Sequence, residues 1–209
     1  VSSIPERQIA NGLADAFTHV LEQYMTYPVG ALLQDRIAES IFQTLIEIAP
    51  TILKNQSDYK TASNFMWCCT MALNGLIQKG VPTDWAIHMM GHELTALYGI
   101  DHARTLAILT GSHYTYNIET KKEKLAQYAE RVWGVTEGTI DEKAEVGIAK
   151  TVGFFHSIGI KTKLSEYTKD FNGTATEIAK RLKDRGMTAI GEHGKLTPVD
   201  VEKIVTMAY

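Results

Sequence analysis

An all-α fold, a helical bundle of about eight or nine helices, follows from three features of the sequence. No segment sustains the alternation of β-branched residues that a strand needs. Apolar residues recur at spacings of three and four in segment after segment, which gathers them on one face of a helix turning about 100° per residue. Prolines, glycines and capping sequences fall between those segments, where helices have to stop and start.

Taken in order, Ser3-Ile4-Pro5-Glu6 has the form of a capping box with proline in the first turn, and predicts a helix to about Met25. Leu13, Phe17, Val20 and Tyr24 form its buried stripe, with Asn11, Asp15, His19 and Glu22 on the opposite face. Such a polar stripe is ordinarily a solvated surface. Asp15 and His19, however, are a carboxylate and an imidazole four apart, able to reach one ion.

Pro28 and Gly30 interrupt the chain before a second helix, about Ala31 to Ala49, with Leu33, Ile37, Ile41 and Leu45 inward and Pro50 closing it. A third, about Tyr59 to Lys79, is carried by Phe65, Met66, Cys69, Ala72, Leu73 and Leu76 and ended by Gly80-Val81-Pro82. Met66, Trp67 and Met71 read as packing residues rather than a cofactor box.

A fourth helix begins near Thr83 or Asp84. It places Ile87, Met90, Leu94 and Leu97 on one face and His88 and His92 on another; Gly99 stops it and His102 follows on the turn. Ala103 to Tyr114 is apolar enough to be a mostly buried helix, and Lys121 to Trp133 is amphipathic through Leu125, Tyr128, Ala129 and Val132. Thr139-Ile140-Asp141-Glu142 and Thr174-Ala175-Thr176-Glu177 read as capping boxes opening helices to about Ile158 and Lys183, and Thr197-Pro198-Val199-Asp200 opens a last one. Gly134 to Gly138 divides the chain either into subdomains or into two packed halves of one domain.

Over 209 residues, 44% hydrophobic and 22% charged, the composition is that of a globular chain able to bury a sizeable core. A net charge of -3 offers no electrostatic footing for nucleic acid or an anionic membrane. Cys68 and Cys69 are adjacent in an apolar run, so they are expected reduced and largely buried. Together with the lack of a signal-peptide pattern or an apolar run of about 18 residues, this predicts a soluble, cytoplasmic protein. Neither G-x-G-x-x-G nor a P-loop occurs, so no nucleotide-binding unit is expected within residues 1–209.

Three of the seven histidines, His88, His92 and His102, lie between Trp85 and His102. His92-Glu93 starts like H-E-x-x-H, but Ala96 occupies the second histidine position, which argues against a zincin-type protease. The paired Glu-x-x-His motifs of di-iron bundles are absent, and no G-x-S-x-G turn supports a serine nucleophile. What remains is a mononuclear site built from Asp15, His19 and two or three of His88, His92 and His102. One carboxylate with several imidazoles suits Fe(II), Zn(II) or Co(II) rather than Mg(II) or Ca(II). His113, His156 and His193 have no ligand-spaced neighbour and read as structural or surface residues. A helical metal-dependent hydrolase, using the ion to activate water, and a non-catalytic helical module with incidental histidines are the rival readings.

The segment Asn11-Gly12-Leu13-Ala14-Asp15-Ala16-Phe17-Thr18-His19-Val20-Leu21-Glu22-Gln23-Tyr24, followed by the His88 to His102 stretch, resembles the metal-binding, dehydroquinate synthase-like C-terminal domain of the iron-containing alcohol dehydrogenase family. Ala72-Leu73-Asn74-Gly75-Leu76 and Gln127-Tyr128-Ala129-Glu130-Arg131-Val132-Trp133 are most similar to its butanol dehydrogenase and broad-range aldehyde reductase branch. The resemblance covers nearly the whole chain. It implies that Asp15, His19, His88 and His102 hold Fe(II) or Zn(II), and that His92 is free of the metal as a catalytic residue for proton relay or positioning. Asp101 and Ala103 stand where a common form of the motif has proline and glycine, a departure bearing on the local turn and substrate preference.

In that family an N-terminal nucleotide-binding domain precedes this one. The resemblance therefore implies hydride transfer between NADP(H) or NAD(H), held mainly by that domain, and a small alcohol or aldehyde polarised by the metal. On this expectation residues 1–209 are an all-helical metal- and substrate-binding domain, inactive alone, whose partners are its own N-terminal domain, the substrate and further copies in a homo-oligomer.

Overall fold

Helices α1 (Glu6–Tyr24) and α5 (His102–Tyr116) lie side by side at the centre of the computed structural model, which describes residues 1–209. Around them stand α2 (Leu32–Lys54), α3 (Tyr59–Leu73), α4 (Ala86–Tyr98), α6 (Ile118–Trp133), α7 (Ile140–Ser157), α8 (Thr174–Asp184) and α9 (Pro198–Met207). α1 packs on α2, α3 and α5; α5 packs in turn on α4, α7 and α9, while α6 pairs with α7 and α8 with α9. Beyond these nine helices there is one 3-10 turn, Leu164–Glu166, and a single bridge between Ile190 and Leu196. No helix is long and apolar enough to cross a membrane.

The central position of α1 is written in its side chains. From Ile9 to Tyr24 every residue is buried except Gly12, Asp15 and His19, which share one face. Phe17 stands at the middle of the core, with ring centroids 4.7 Å from Phe42 of α2 and 4.8 Å from Phe154 of α7. One continuous core of 51 buried residues runs from Ile9 to Ala208, so Gly134 to Gly138 divides no subdomains. Gly134 instead takes a left-handed φ of 70° to end α6, and the chain turns straight back into α7. The capping box at Thr139 is formed, with the Thr139 amide donating to Glu142 Oε2 at 2.7 Å, and so is the one at Thr197 and Asp200.

Two other expected boxes are not formed. α1 begins after Pro5 without a side-chain cap, and α8 begins at Thr174 after Gly173, whose φ is 79°. The Thr174 hydroxyl bonds Tyr98 of α4 instead of its own helix. α2 does not stop at Pro50 but continues to Lys54, because Ile48, Ala49 and Ile52 are buried and their packing holds the final turn against the missing amide. Leu33, expected inward, is 69% exposed, and the inner face is Ala38, Ile41, Phe42 and Leu45.

α3 ends six residues earlier than expected, at Leu73 rather than Lys79, where Asn74 and Gly75 make a turn in which Asn74 Oδ1 accepts from the Leu76 amide at 3.0 Å. Its buried face is Thr61, Phe65, Cys68 and Ala72, leaving Met66, Trp67, Leu73 and Leu76 exposed. A helix with apolar residues around most of its circumference specifies no unique inner stripe, and the neighbours keep the expected Phe65 and Ala72 but bury Thr61 and Cys68 beside them.

Candidate metal centre

α4 begins at Ala86, two or three residues later than expected, and ends at Gly99, whose φ of 65° lets its amide close on Thr95 O at 2.9 Å. Gly91 permits the approach of α5. A Cβ there would stand 2.9 Å from Leu106 Cδ2 and 3.1 Å from Thr105 Oγ1, so only glycine fits without a shift. That close contact sets His88 on α4 against His102, which is not on a turn but is the first residue of α5. The half-exposed stripe of α1 faces the same place.

Potential ligand atoms of Asp15, His19 and His88 lie within 4.8 Å of one another. His102 joins at the rim, its Nε2 3.8 Å from Asp15 Oδ1. The His19 and His88 ring centroids are 4.2 Å apart, and those of His88 and His102 are 5.3 Å apart. His92 lies outside the trio. It is exposed, stacked on His102 with centroids 4.5 Å apart and planes at 6°, and its ring is 6.4 Å from that of His88.

The chemistry of the donors fits a cation. His19 Nδ1–H is placed to donate to the Asp15 carbonyl at 2.8 Å, which leaves Nε2 as the free lone pair. His88 Nε2 is buried without any hydrogen-bond partner. A buried imidazole nitrogen is costly to leave unpaired unless something occupies its lone pair. Burial pushes the His88 imidazole down to about 3, with His19 adding to the effect, and burial pushes His102 down to about 4 against the opposing Asp15 charge. Burial alone would raise Asp15, but the bond and charge of His19, followed by His102 and His88, hold its carboxyl below the usual value. Burial alone would lower His19, but the bond and charge of Asp15 hold it above the usual imidazole value, so a cation there would displace a proton. Neutral His88 and His102 beside an ionised carboxylate already have the protonation states a metal requires.

One residue of this centre went unassigned in the sequence. Glu22, fully buried, binds His88 Nδ1 and accepts the amides of Ile87 at 2.7 Å and His88 at 3.1 Å. It thus caps α4 and orients the imidazole, so that Nε2 turns toward Asp15 and His19. Burial pushes its carboxyl up to about 8, Asp84 adds to this, and His113 and the two amides oppose it. The signal was present in the spacing, because Glu22 follows Asp15 and His19 along one helix face.

The polar stripe of α1 is therefore no solvated face: Asn11 and Glu22 are buried, and Asp15 and His19 are half-buried. Asn11, also on it, donates to Asp101 Oδ2 at 2.8 Å and accepts from Arg104 Nε at 3.0 Å, tying the start of α5 to α1 one turn from Asp15. Asp101, visible in the sequence only as a departure from a motif, also takes Arg7 Nε at 3.0 Å. His113, read as structural, is buried with Nε2 3.6 Å from Asp84.

Comparisons with known proteins agree with this architecture. The family model for the C-terminal region of Fe-containing alcohol dehydrogenases matches residues 9–209. The chain is 50% identical over 201 residues to the NADPH-dependent aldehyde reductase YqhD of Escherichia coli, covering 96% of this chain and 51% of that protein. It is 34% identical over 206 residues to NADH-dependent butanol dehydrogenase A of Clostridium acetobutylicum, covering 97% and 52%. The chain thus spans about half the length of the curated relatives it matches. The solved structure of the substrate- and cofactor-free form of the E. coli aldehyde reductase superposes with a TM-score of 0.97 at 47% identity, over 100% of this chain and 55% of that one. Butanol dehydrogenase A from Thermotoga maritima gives 0.88 at 26% identity, over 99% and 53%. With matches of this extent, the chain belongs to the Fe-containing alcohol dehydrogenase family and carries its C-terminal region.

Proposed function

We propose that residues 1–209 are the metal- and substrate-binding half of an NAD(P)-dependent alcohol dehydrogenase or aldehyde reductase. The observation that carries this reading is the convergence of Asp15, His19 and His88 within 4.8 Å, on two helices, with an unpaired buried nitrogen turned into the gap. Asp15, His19, His88 and His102 would hold the ion, Fe(II) or Zn(II) by the chemistry of the donor set. Bound there, a divalent ion supplies Lewis-acid polarisation of an alcohol or aldehyde oxygen.

This chain's own residues do the rest of the work on this side. Glu22 fixes the His88 ring, and Asn11 with Asp101 fixes the origin of α5 and so His102. His92, exposed beside His102, is placed to carry a proton between the cleft and water. A nucleotide-binding half preceding this one would hold the nicotinamide, and the greater identity to the NADPH-dependent reductase than to the NADH-dependent butanol dehydrogenases favours NADPH. Small aldehydes or alcohols are the proposed substrates, and assembly into a homo-oligomer belongs to the same proposal.

The test is an assay of the protein carrying both halves, loaded with Fe(II) or Zn(II). Nicotinamide-dependent reduction of a short-chain aldehyde supports the reading. Ester or phosphate hydrolysis with no nicotinamide consumption would replace it with the hydrolase. The 209-residue chain alone is expected to bind metal without turnover.

A further inference from the structure

Trp85 is the one non-glycine residue with a positive φ, at φ 62° and ψ 6°, immediately before α4. For a bulky side chain this left-handed conformation is strained, and such strain persists only where the surroundings impose it from both sides. They do so here. The Asp84 amide donates to Glu22 O at 2.9 Å, Asp84 Oδ1 accepts from the Ala86 amide at 3.1 Å, and Asp84 Oδ2 is pinned at 2.9 Å by Lys121 Nζ. Lys121 is itself buried and also meets Glu192 Oε1 and Met25 O, each at 2.6 Å. On the other side of Trp85, the amides of Ile87 and His88 are held by Glu22.

Glycine would adopt this backbone without strain, so the indole needs a reason of its own. It touches both sides of the centre. Its ring meets His19 edge-on, with centroids 5.9 Å apart and planes at 67°, and meets His88 edge-on at 5.3 Å and 74°. Those two imidazoles come from different helices, and no other aromatic ring contacts both. Edge-to-face contact of this kind restricts how each ring can rotate about its side-chain bonds.

We propose that Trp85 is a positioning residue of the metal centre: the strained backbone exists to stand its indole against His19 and His88 and fix the angle between their rings. This rests on the reading that Asp15, His19, His88 and His102 hold a cation. Orientation of ligands by the groups behind them typically governs metal affinity by about 10- to 100-fold.

The test uses the metal-free 209-residue chain and its Trp85→Phe, Trp85→Ala and Trp85→Gly variants. Thermal midpoint and Zn(II) affinity, by competition with a chromogenic chelator, are read for each. Phe keeps a ring, Ala keeps the strain without the ring, and Gly removes both. The expected result is Zn(II) affinity about tenfold weaker in Ala and Gly and close to wild type in Phe, with Gly melting above Ala because its backbone is relaxed. Affinity in both Ala and Gly within about twofold of wild type, whatever their midpoints, would overturn the positioning role while leaving the centre in place. A wild-type chain that takes up no Zn(II) would instead remove the centre, and the role with it.

Discussion

The buried carboxylate of Glu22 binds His88 Nδ1 and the first amides of α4 together, so one side chain both caps the helix and orients a candidate ligand on it. A neutral amide at this position keeps an acceptor for the backbone but cannot ionise behind the imidazole when a cation binds, as a carboxyl pushed up to about 8 still can. Glu22→Gln is therefore expected to weaken Zn(II) binding by about tenfold, read by chelator competition, with a smaller effect on the melting of the metal-free chain. Glu22→Ala strips both amides of their acceptor and should cost roughly 1–3 kcal/mol for each group left unpaired.

The interface of α4 with α5 offers a steric test. Adding a methyl group at Gly91 brings it against Leu106 and Thr105, and the two helices have to separate. Gly91→Ala should destabilise by about 1–3 kcal/mol in denaturant titration and should also weaken metal binding, because His88 and His102 ride on the two helices being forced apart.

Beneath the site, the buried cluster of Lys121, Asp84 and Glu192 predicts both a mutational and a pH effect. Lys121→Met leaves two buried carboxylates without their cation and should cost about 3–5 kcal/mol, whereas replacing all three by uncharged residues of similar size should recover much of that loss.

Burial alone would raise Asp84, but His113 and then Lys121 outweigh it and hold the carboxyl well below the ordinary 3.8. A carboxyl whose folded value is depressed stabilises the fold above its unfolded value and loses that contribution as pH falls below it. The thermal midpoint should therefore drop below about pH 4, and the drop should be shallower in Asp84→Asn, measured from pH 6 to pH 2.

His92 and His102 are stacked neighbours for which different tasks are proposed. His92→Ala should leave metal content near wild type while lowering turnover of the two-half enzyme by about 10²- to 10⁴-fold. His102→Ala should lose metal as well. Equal metal loss in both variants, by elemental analysis after dialysis, would return His92 to the ligand set.

Much of this was legible in the sequence because the period of an α-helix is so regular. Asp15 and His19 at a spacing of four, and His88 on the polar face of an apolar helix ended by Gly99, needed only that period to be placed. His102, which no helical period links to the others, was a candidate by proximity in the chain, and the family resemblance set it above His92. What escaped was set by partners distant in sequence. Glu22 and Asn11 share the helix face of Asp15 and His19, but their tasks depend on α4 and α5, which the spacing within α1 does not specify. The face of α3 was partly misplaced because apolar residues nearly encircle it, and the end of α2 because buried Ile52 outweighs Pro50. Trp85 carried no local signal at all, since its left-handed backbone is imposed by Lys121 and Glu22 from other helices.

X-ray absorption spectroscopy of the Zn(II)-loaded chain tests the centre most directly. Three imidazole nitrogens and one carboxylate oxygen at about 2.0–2.2 Å are the shell expected from His19, His88, His102 and Asp15. A sulfur neighbour at about 2.3 Å, or a shell with fewer than two imidazoles, would contradict it.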